Sequence, residues 1–344
     1  MRKTAYETNG ETLTMYGQQA TYTGLKEIRP TLRNVHSQVL QNVAVRLDLG
    51  MKAFFRRVRA GQTPGYPRFR GRDRYDSFTY PQAPNGCKLE GSILSLSKIG
   101  QVKVKLHRPL EGTPKNCAIK RDSCGKWWAT FSCEVEAPEF LPAAGEVVGI
   151  DVGLKDFAFL STDEAVPAPK FFRRGESELA KVQRKLSKEE KGTPQRLGAQ
   201  RTIVQRRKRK KVVSQVHAKI ASRRRNFTDQ LSRKIVNRFQ LIAVEDIHTN
   251  RLVHNHCLAK SIYDAAWSQF FDMLAYKAEC AGRQLIKVNP AYTSQDCNQC
   301  KHRQKMALCE RVYNCPCCGL SCHRDLNASL NILKIAVGQY SVEA

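Results

Sequence analysis

No apolar run in the 344-residue chain approaches the roughly eighteen residues that a bilayer-spanning helix needs. The opening stretch from Met1 to Gly10 has no apolar core of the kind a secretory leader carries. Acidic residues are scarce, with 31 Asp plus Glu against 58 Lys plus Arg and a formal net charge of +27. No internal repeat is visible. These absences argue against a bilayer-spanning helix and a secretory leader, and they make the chain read as a cytosolic or nucleoid protein. Its 13 Cys are then expected as reduced thiols or metal ligands rather than disulfides.

What is present begins with the basic excess, which runs the whole length: +10 over residues 1–150 and +17 over residues 151–344. A chain this basic repels itself unless it meets a polyanion, and nucleic acid is the partner this balance fits. With 41% hydrophobic residues there is enough apolar material for ordinary cores, and the length suggests several domains.

Leu32, Val35, Val39, Val43, Leu47, Met51, Phe54 and Val58 recur at spacings of three and four. They predict one amphipathic helix from Pro30, stopped by Gly61 and Pro64. Arg56 and Arg57 stand in its tail, and Tyr66, Arg68, Phe69 and Arg70 follow in a loop where cations alternate with rings. Such a loop suits phosphates and stacked bases, or it is a turn whose rings pack on the core. Residues 92–97, 101–106 and 126–133 read as short strands of a small barrel or sandwich, with Lys103 and Lys105 on the outward face.

Beyond residue 145 the pattern changes. Val147 to Asp151 is an apolar strand ending in an acid, with Phe157–Leu160 able to return beside it. Residues 176–239 read as a basic helical insertion that holds Arg206, Arg207, Lys208, Arg209, Lys210, Arg223 and Arg224. Leu241 to Glu245 is a second apolar strand ending in an acid. A helix is expected over residues 261–281, and a last helix opens near Asp325.

Asp151, Glu245 and Asp325 can each be explained as a turn former, a surface acid and a helix cap. Together, at element ends in a basic chain, they make a set of hard oxygen ligands for Mg²⁺ or Mn²⁺. Two such ions would suit phosphodiester hydrolysis. Cys297 and Cys300, then Cys315 and Cys318, form two C-x-x-C knuckles separated by fourteen residues, the spacing of a closed Cys₄ zinc site. Cys309, Cys317 and Cys322 are spare, and on spacing alone Cys317 or Cys322 can replace a nominal ligand.

These motifs carry a resemblance. Gly149 to Leu154, Val244 to Ile247, the run from Asn250 to Ile262, Trp267, Thr293 to Cys300 and Cys318 to Ala328 resemble the TnpB (OrfB) family of transposon-encoded RNA-guided endonucleases, related to compact type V CRISPR effectors. The resemblance implies an α+β multidomain protein. Residues 1–85 would be a helical recognition-lobe segment, short at its N-terminus relative to the family, and 86–140 part of a wedge-like β-barrel. Residues 146–292 would be a RuvC-like nuclease of RNase H fold, with 293–320 its inserted zinc ribbon and 321–344 its last helix and tail. Asp151, Glu245 and Asp325 would hold two Mg²⁺ (or Mn²⁺) ions, and Cys297, Cys300, Cys315 and Cys318 one structural Zn²⁺. The partners implied are a guide RNA from the element's end and double-stranded target DNA, in a prokaryotic cytoplasm at the nucleoid. Other readings of the same residues are a guide-dependent binding protein or transposon remnant without cleavage, and a protein-only, structure-selective nuclease.

Overall fold

The structure, a computed structural model, describes residues 2–71, 74–137, 139–143, 145–188, 199–307 and 310–343. Cys309 and positions 189–198 of the expected basic insertion lie outside the described residues. The chain divides into two units, Met1–Glu136 and Ala137–Ala344.

The first unit opens with short helices α1 (Arg2–Asn9), α2 (Met15–Ala20) and α3 (Tyr22–Ile28), then a 3₁₀ turn over Pro30–Asn34. The long helix α4 runs over Ser37–Arg59. It starts later than the apolar spacing implied, because Val35 and His36 are extended and separate it from the 3₁₀ turn. Strand β1 (Ser77–Tyr80), helix α5 (Ala83–Gly86) and strands β2 (Cys87–Glu90), β3 (Ile93–Leu96), β4 (Gly100–Lys103), β5 (Thr113–Arg121) and β6 (Trp127–Glu134) complete it. They form two antiparallel sheets, in the orders β1-β5-β6 and β2-β3-β4. Tyr80, Cys87, Leu94, Leu96, Cys117 and Ile119 from both sheets share one apolar core. Among the described residues no ladder joins the two sheets into a ring.

The second unit is built on a five-stranded sheet. Strands β7 (Glu146–Val152), β8 (Asp156–Leu160) and β9 (Ala165–Pro167) make an antiparallel meander. Basic helices α6 (Phe171–Ser187) and α7 (Ala199–Arg238) follow, then β10 (Phe239–Glu245), α8 (Thr249–Leu252), α9 (His256–Ala265), α10 (Trp267–Cys280) and β11 (Gln284–Val288). The helix expected over 261–281 is thus two, broken where Ala266 takes a left-handed conformation (φ 56°). Strands β12 (Val312–Asn314) and β13 (Ser321–His323) belong to the Cys-rich segment, and α11 (Arg324–Glu343) ends the chain. The strand order is β11-β10-β7-β8-β9, with β10 parallel to both β7 and β11.

The two-residue alternation of strands separates the faces of β7 and β10, apart from a register shift between Phe239 and Leu241. Val148, Ile150, Ile242 and Val244 join Phe239, Phe270 and Leu274 in the large core. Leu241 and Ala243 turn to the opposite face, against Ile332 and Ala336 of α11. Gly149 lies on that second face, and α11 crosses it so closely that a Cβ there would sit 2.1 Å from the Ser329 carbonyl oxygen. The obstruction is helix backbone, which cannot swing aside. Gly149→Ala is therefore expected to cost about 3 kcal/mol or more, at the upper end for overpacked cores, read as a lower midpoint of urea unfolding.

The basic helices are tied to this unit from inside. Asp264 on α9 is buried and accepts two hydrogen bonds of 2.9 Å from the Phe172 backbone N–H, and it pairs with Arg224 at 3.0 Å. One carboxylate thus caps α6 and neutralises a guanidinium of α7.

Candidate functional site

Registration of β7 with β10 pairs Ile150 with Val244, so Asp151 and Glu245, the next residue on each strand, stand side by side at the strands' carboxyl ends. By alternation both point to the α11 face, where Gly149 allows the helix to approach. Asp325 is in the first turn of α11. Three carboxylates far apart in sequence thereby share one electrostatic neighbourhood. Burial, then the charges of Glu245 and Asp325, push Asp151 well above the usual carboxylate range, with Arg324 pulling the other way. Burial also raises Glu245, opposed by a hydrogen bond from Thr293, whose hydroxyl donates to Glu245 Oε1 at 2.5 Å.

Cations and rings from the chain itself surround the acids. Arg311, just before β12, pairs with Asp325 at 3.6 Å. Phe159, the cross-strand neighbour of Asp151, stacks on His323 with ring centroids 4.9 Å apart. The Asp325 backbone N–H donates to His323 Nδ1 at 3.3 Å, which leaves Nε2 to carry the proton of the neutral ring.

The Cys segment closes more tightly. The ligand atoms of Cys297, Cys300, Cys315 and Cys318 all lie within 4.8 Å of one another. Sulfur pairs Cys297–Cys318 and Cys300–Cys315 are 3.6 and 3.5 Å apart, close to the ~3.8 Å edge of a tetrahedron with zinc–sulfur bonds of about 2.3 Å. Backbone N–H groups of Cys318 and then Cys317 help lower the Cys315 thiol, while the neighbouring thiols help raise that of Cys318; four sulfurs this close suit a zinc-like ion. Neither Cys317 nor Cys322 belongs to the cluster. Cys317 is exposed, and Cys322 packs against the Tyr313 core.

The remaining sequence-predicted positions are dispersed. Arg56, Arg57, Tyr66, Arg68, Phe69 and Arg70 are exposed, Phe69 to 89%, while Tyr66 meets Phe54 edge-on at 5.5 Å. Lys103 and Lys105 are exposed, as are Arg207, Lys208, Arg209, Lys210 and Arg223 on α7, with Arg206 half-buried. The Arg224 guanidinium is engaged by Asp264. Thr293, Arg311, Asn327 and Asn331 were missed from sequence. The signal available was a pair of asparagines four residues apart, and so on one face, of a helix rich in apolar residues.

Crowded like charges have a stability consequence with a defined sign. A carboxyl whose folded-state affinity for protons is raised favours folding below its unfolded value and loses that contribution as pH rises through the folded one. For Asp151 the ionised form therefore costs stability near neutrality. Asp151→Asn is expected to raise the melting temperature of metal-free protein at pH 7.5, with the gain shrinking as pH falls towards 4. Paired thermal melts across that range test it.

Comparison with known proteins places the chain among relatives. Residues 130–256 match the family model OrfB_IS605, described as "Probable transposase". Residues 267–332 match that of the Cas12f1-like TNB domain. A Streptomyces pristinaespiralis protein named "Putative RNA-guided DNA endonuclease" is 32% identical over 307 residues, covering 88% of this chain and 72% of its own. InsQ of Escherichia coli K12, named likewise, is 30% identical over 320 residues, covering 88% and 75%. A solved CRISPR-Cas12f ternary complex aligns over 64% of this chain and 45% of that one, with 20% identity and a TM-score of 0.42. On this identity and coverage, the chain belongs to the TnpB (OrfB) family that its motifs resemble.

Proposed function

We propose that the chain is an RNA-guided DNA endonuclease of an insertion sequence. Residues 146–292 and 321–344 form its RuvC-like nuclease, 293–320 its zinc ribbon, and 1–85 and 86–140 the recognition and wedge portions that hold a guide RNA. The observation that carries the reading is the convergence of Asp151, Glu245 and Asp325 from two parallel strands and a helix N-terminus. A sheet that adds parallel strands to the first strand of a meander is compatible with an RNase H-type fold, because it sets the ends of β7 and β10 side by side. The names of the relatives support guide RNA and DNA as partners.

The acidic set suits hard divalent cations, since the charges of Glu245 and Asp325 that oppose ionisation of Asp151 would be relieved by positive charge. Asp151, Glu245 and Asp325 would hold the ions, which would supply activation of a water and neutralisation of charge at a phosphodiester. The chain's own residues do the rest. Asp151, Glu245 and Asp325 supply oxygen ligands on rigid elements, and Thr293 fixes one of them. Arg311 and Arg324 bring positive charge beside the acids, where a phosphate would be drawn in. The exposed cations of α4 and α7, together with Lys103 and Lys105, are the surfaces that would track nucleic-acid backbones.

Purification from a host carrying the native locus is expected to bring down one dominant RNA that runs from the element's end into flanking sequence. With matched DNA and Mg²⁺, Asp151→Ala, Glu245→Ala and Asp325→Ala should each drop cutting below detection while leaving the bound RNA unchanged. Survival of cutting in all three would defeat the site assignment.

The four-sulfur cluster is read as a structural zinc site without an open coordination position. Cys300→Ser should reduce zinc from one ion per chain towards none, measured by atomic emission, and lower the thermal midpoint.

A further inference from the structure

The Cys cluster and the acidic cluster are joined by a buried chain of hydrogen bonds. Asn298, inside the first knuckle, donates its backbone N–H at 2.9 Å and its side-chain amide at 3.0 Å to Asn327 Oδ1 on α11. Asn327 Nδ2 donates to the Asp296 carbonyl at 2.8 Å, and Asn331 Nδ2 donates to the same carbonyl at 2.6 Å. That second amide also donates to the Thr293 carbonyl at 2.9 Å. The Thr293 hydroxyl then reaches Glu245 Oε1 at 2.5 Å. Asn327 is fully buried, and Asn298, Thr293 and Asn331 are nearly so, so no link has water as a ready substitute.

This arrangement is more than an anchor for an inserted ribbon. An anchor needs only to hold the knuckle on α11, which Asn327 does. The additional steps run on to a carboxylate that would ligate the divalent ion, and they end on a hydroxyl donor. A hydroxyl hydrogen-bonded to one carboxylate oxygen selects that group's rotamer and leaves the other oxygen for the cation. Groups that hold metal ligands in this way commonly set affinity by one to two orders of magnitude.

We propose that Thr293 is a positioning residue for Glu245, held in place by the Cys₄ knuckle through Asn327 and Asn331, so that an intact ribbon sets the affinity of the acidic site for its divalent ion. The inference rests on the nuclease reading above. The ribbon thereby conditions a site it does not enter, and loss of its anchoring is felt at Glu245 as a freed side chain.

The test uses the full chain with its co-purified RNA and Mn²⁺ as the probe, its binding followed by the electron paramagnetic resonance signal of the free ion. Asp151→Ala sets the baseline. Thr293→Val keeps the shape and removes the hydroxyl. It is expected to weaken Mn²⁺ binding on the order of tenfold, with zinc content and melting temperature near wild type. Thr293→Ser, which restores a hydroxyl, should recover most of the affinity. Asn331→Ala should weaken Mn²⁺ binding in the wild-type background and add little to Thr293→Val, because both act on one contact. Wild-type affinity in Thr293→Val, or additive effects of the two changes, would overturn the positioning role alone. Wild-type protein titrating like Asp151→Ala would instead remove the acidic metal site, and this inference with it.

Discussion

Holding Asp151, Glu245 and Asp325 together is electrostatically uphill, and much of the second unit is organised around that cost. Carboxylates repel at short range and more strongly as water is withdrawn, so no local sequence preference would gather them. The work is done by features with other energetic sources: the parallel β7–β10 ladder, the apolar seam of Leu241, Ala243, Ile332 and Ala336, and a glycine that lets α11 lie against the sheet. Arg324 and Arg311 offset part of the repulsion. A divalent cation bound there, as proposed, would return the stability spent on gathering the acids.

Much of this was legible in the residues. Apolar runs that stop at an acid announced β7 and β10, and paired C-x-x-C knuckles announced the four-sulfur cluster, because both signals are local. Other elements were hidden for equally physical reasons. Strand β5 carries Pro114 and several polar or basic residues, and only Cys117 and Ile119 are buried, so its place comes from partners on both sides rather than from its own pattern. The break between α9 and α10 falls at Ala266, with neither Gly nor Pro to mark it. Thr293 is joined to Glu245 across 48 positions, a distance over which no periodicity speaks. Spacing alone could not decide among the spare cysteines, because tetrahedral closure is a property of the folded segment.

The fate of the basic residues shows the same limit. A charge run in sequence does not distinguish a guanidinium that faces solvent from one spent inside. On α7, Arg223 is exposed, whereas its neighbour Arg224 is turned to a buried carboxylate. One step of 100° around a helix separates a candidate phosphate contact from a structural tether.

The asparagine chain also has a meaning in polymer terms. Between the end of β11 and the start of α11 lie 35 residues, Asn289 to His323, and closing a flexible loop of that length costs about 3 kcal/mol of chain entropy. Knuckle, asparagines and threonine pin that segment at several points along its course, dividing one long excursion into short ones. The cost is met once, when the chain folds. Asp325 is then a fixed neighbour of Asp151 and does not have to be captured anew from a wandering loop.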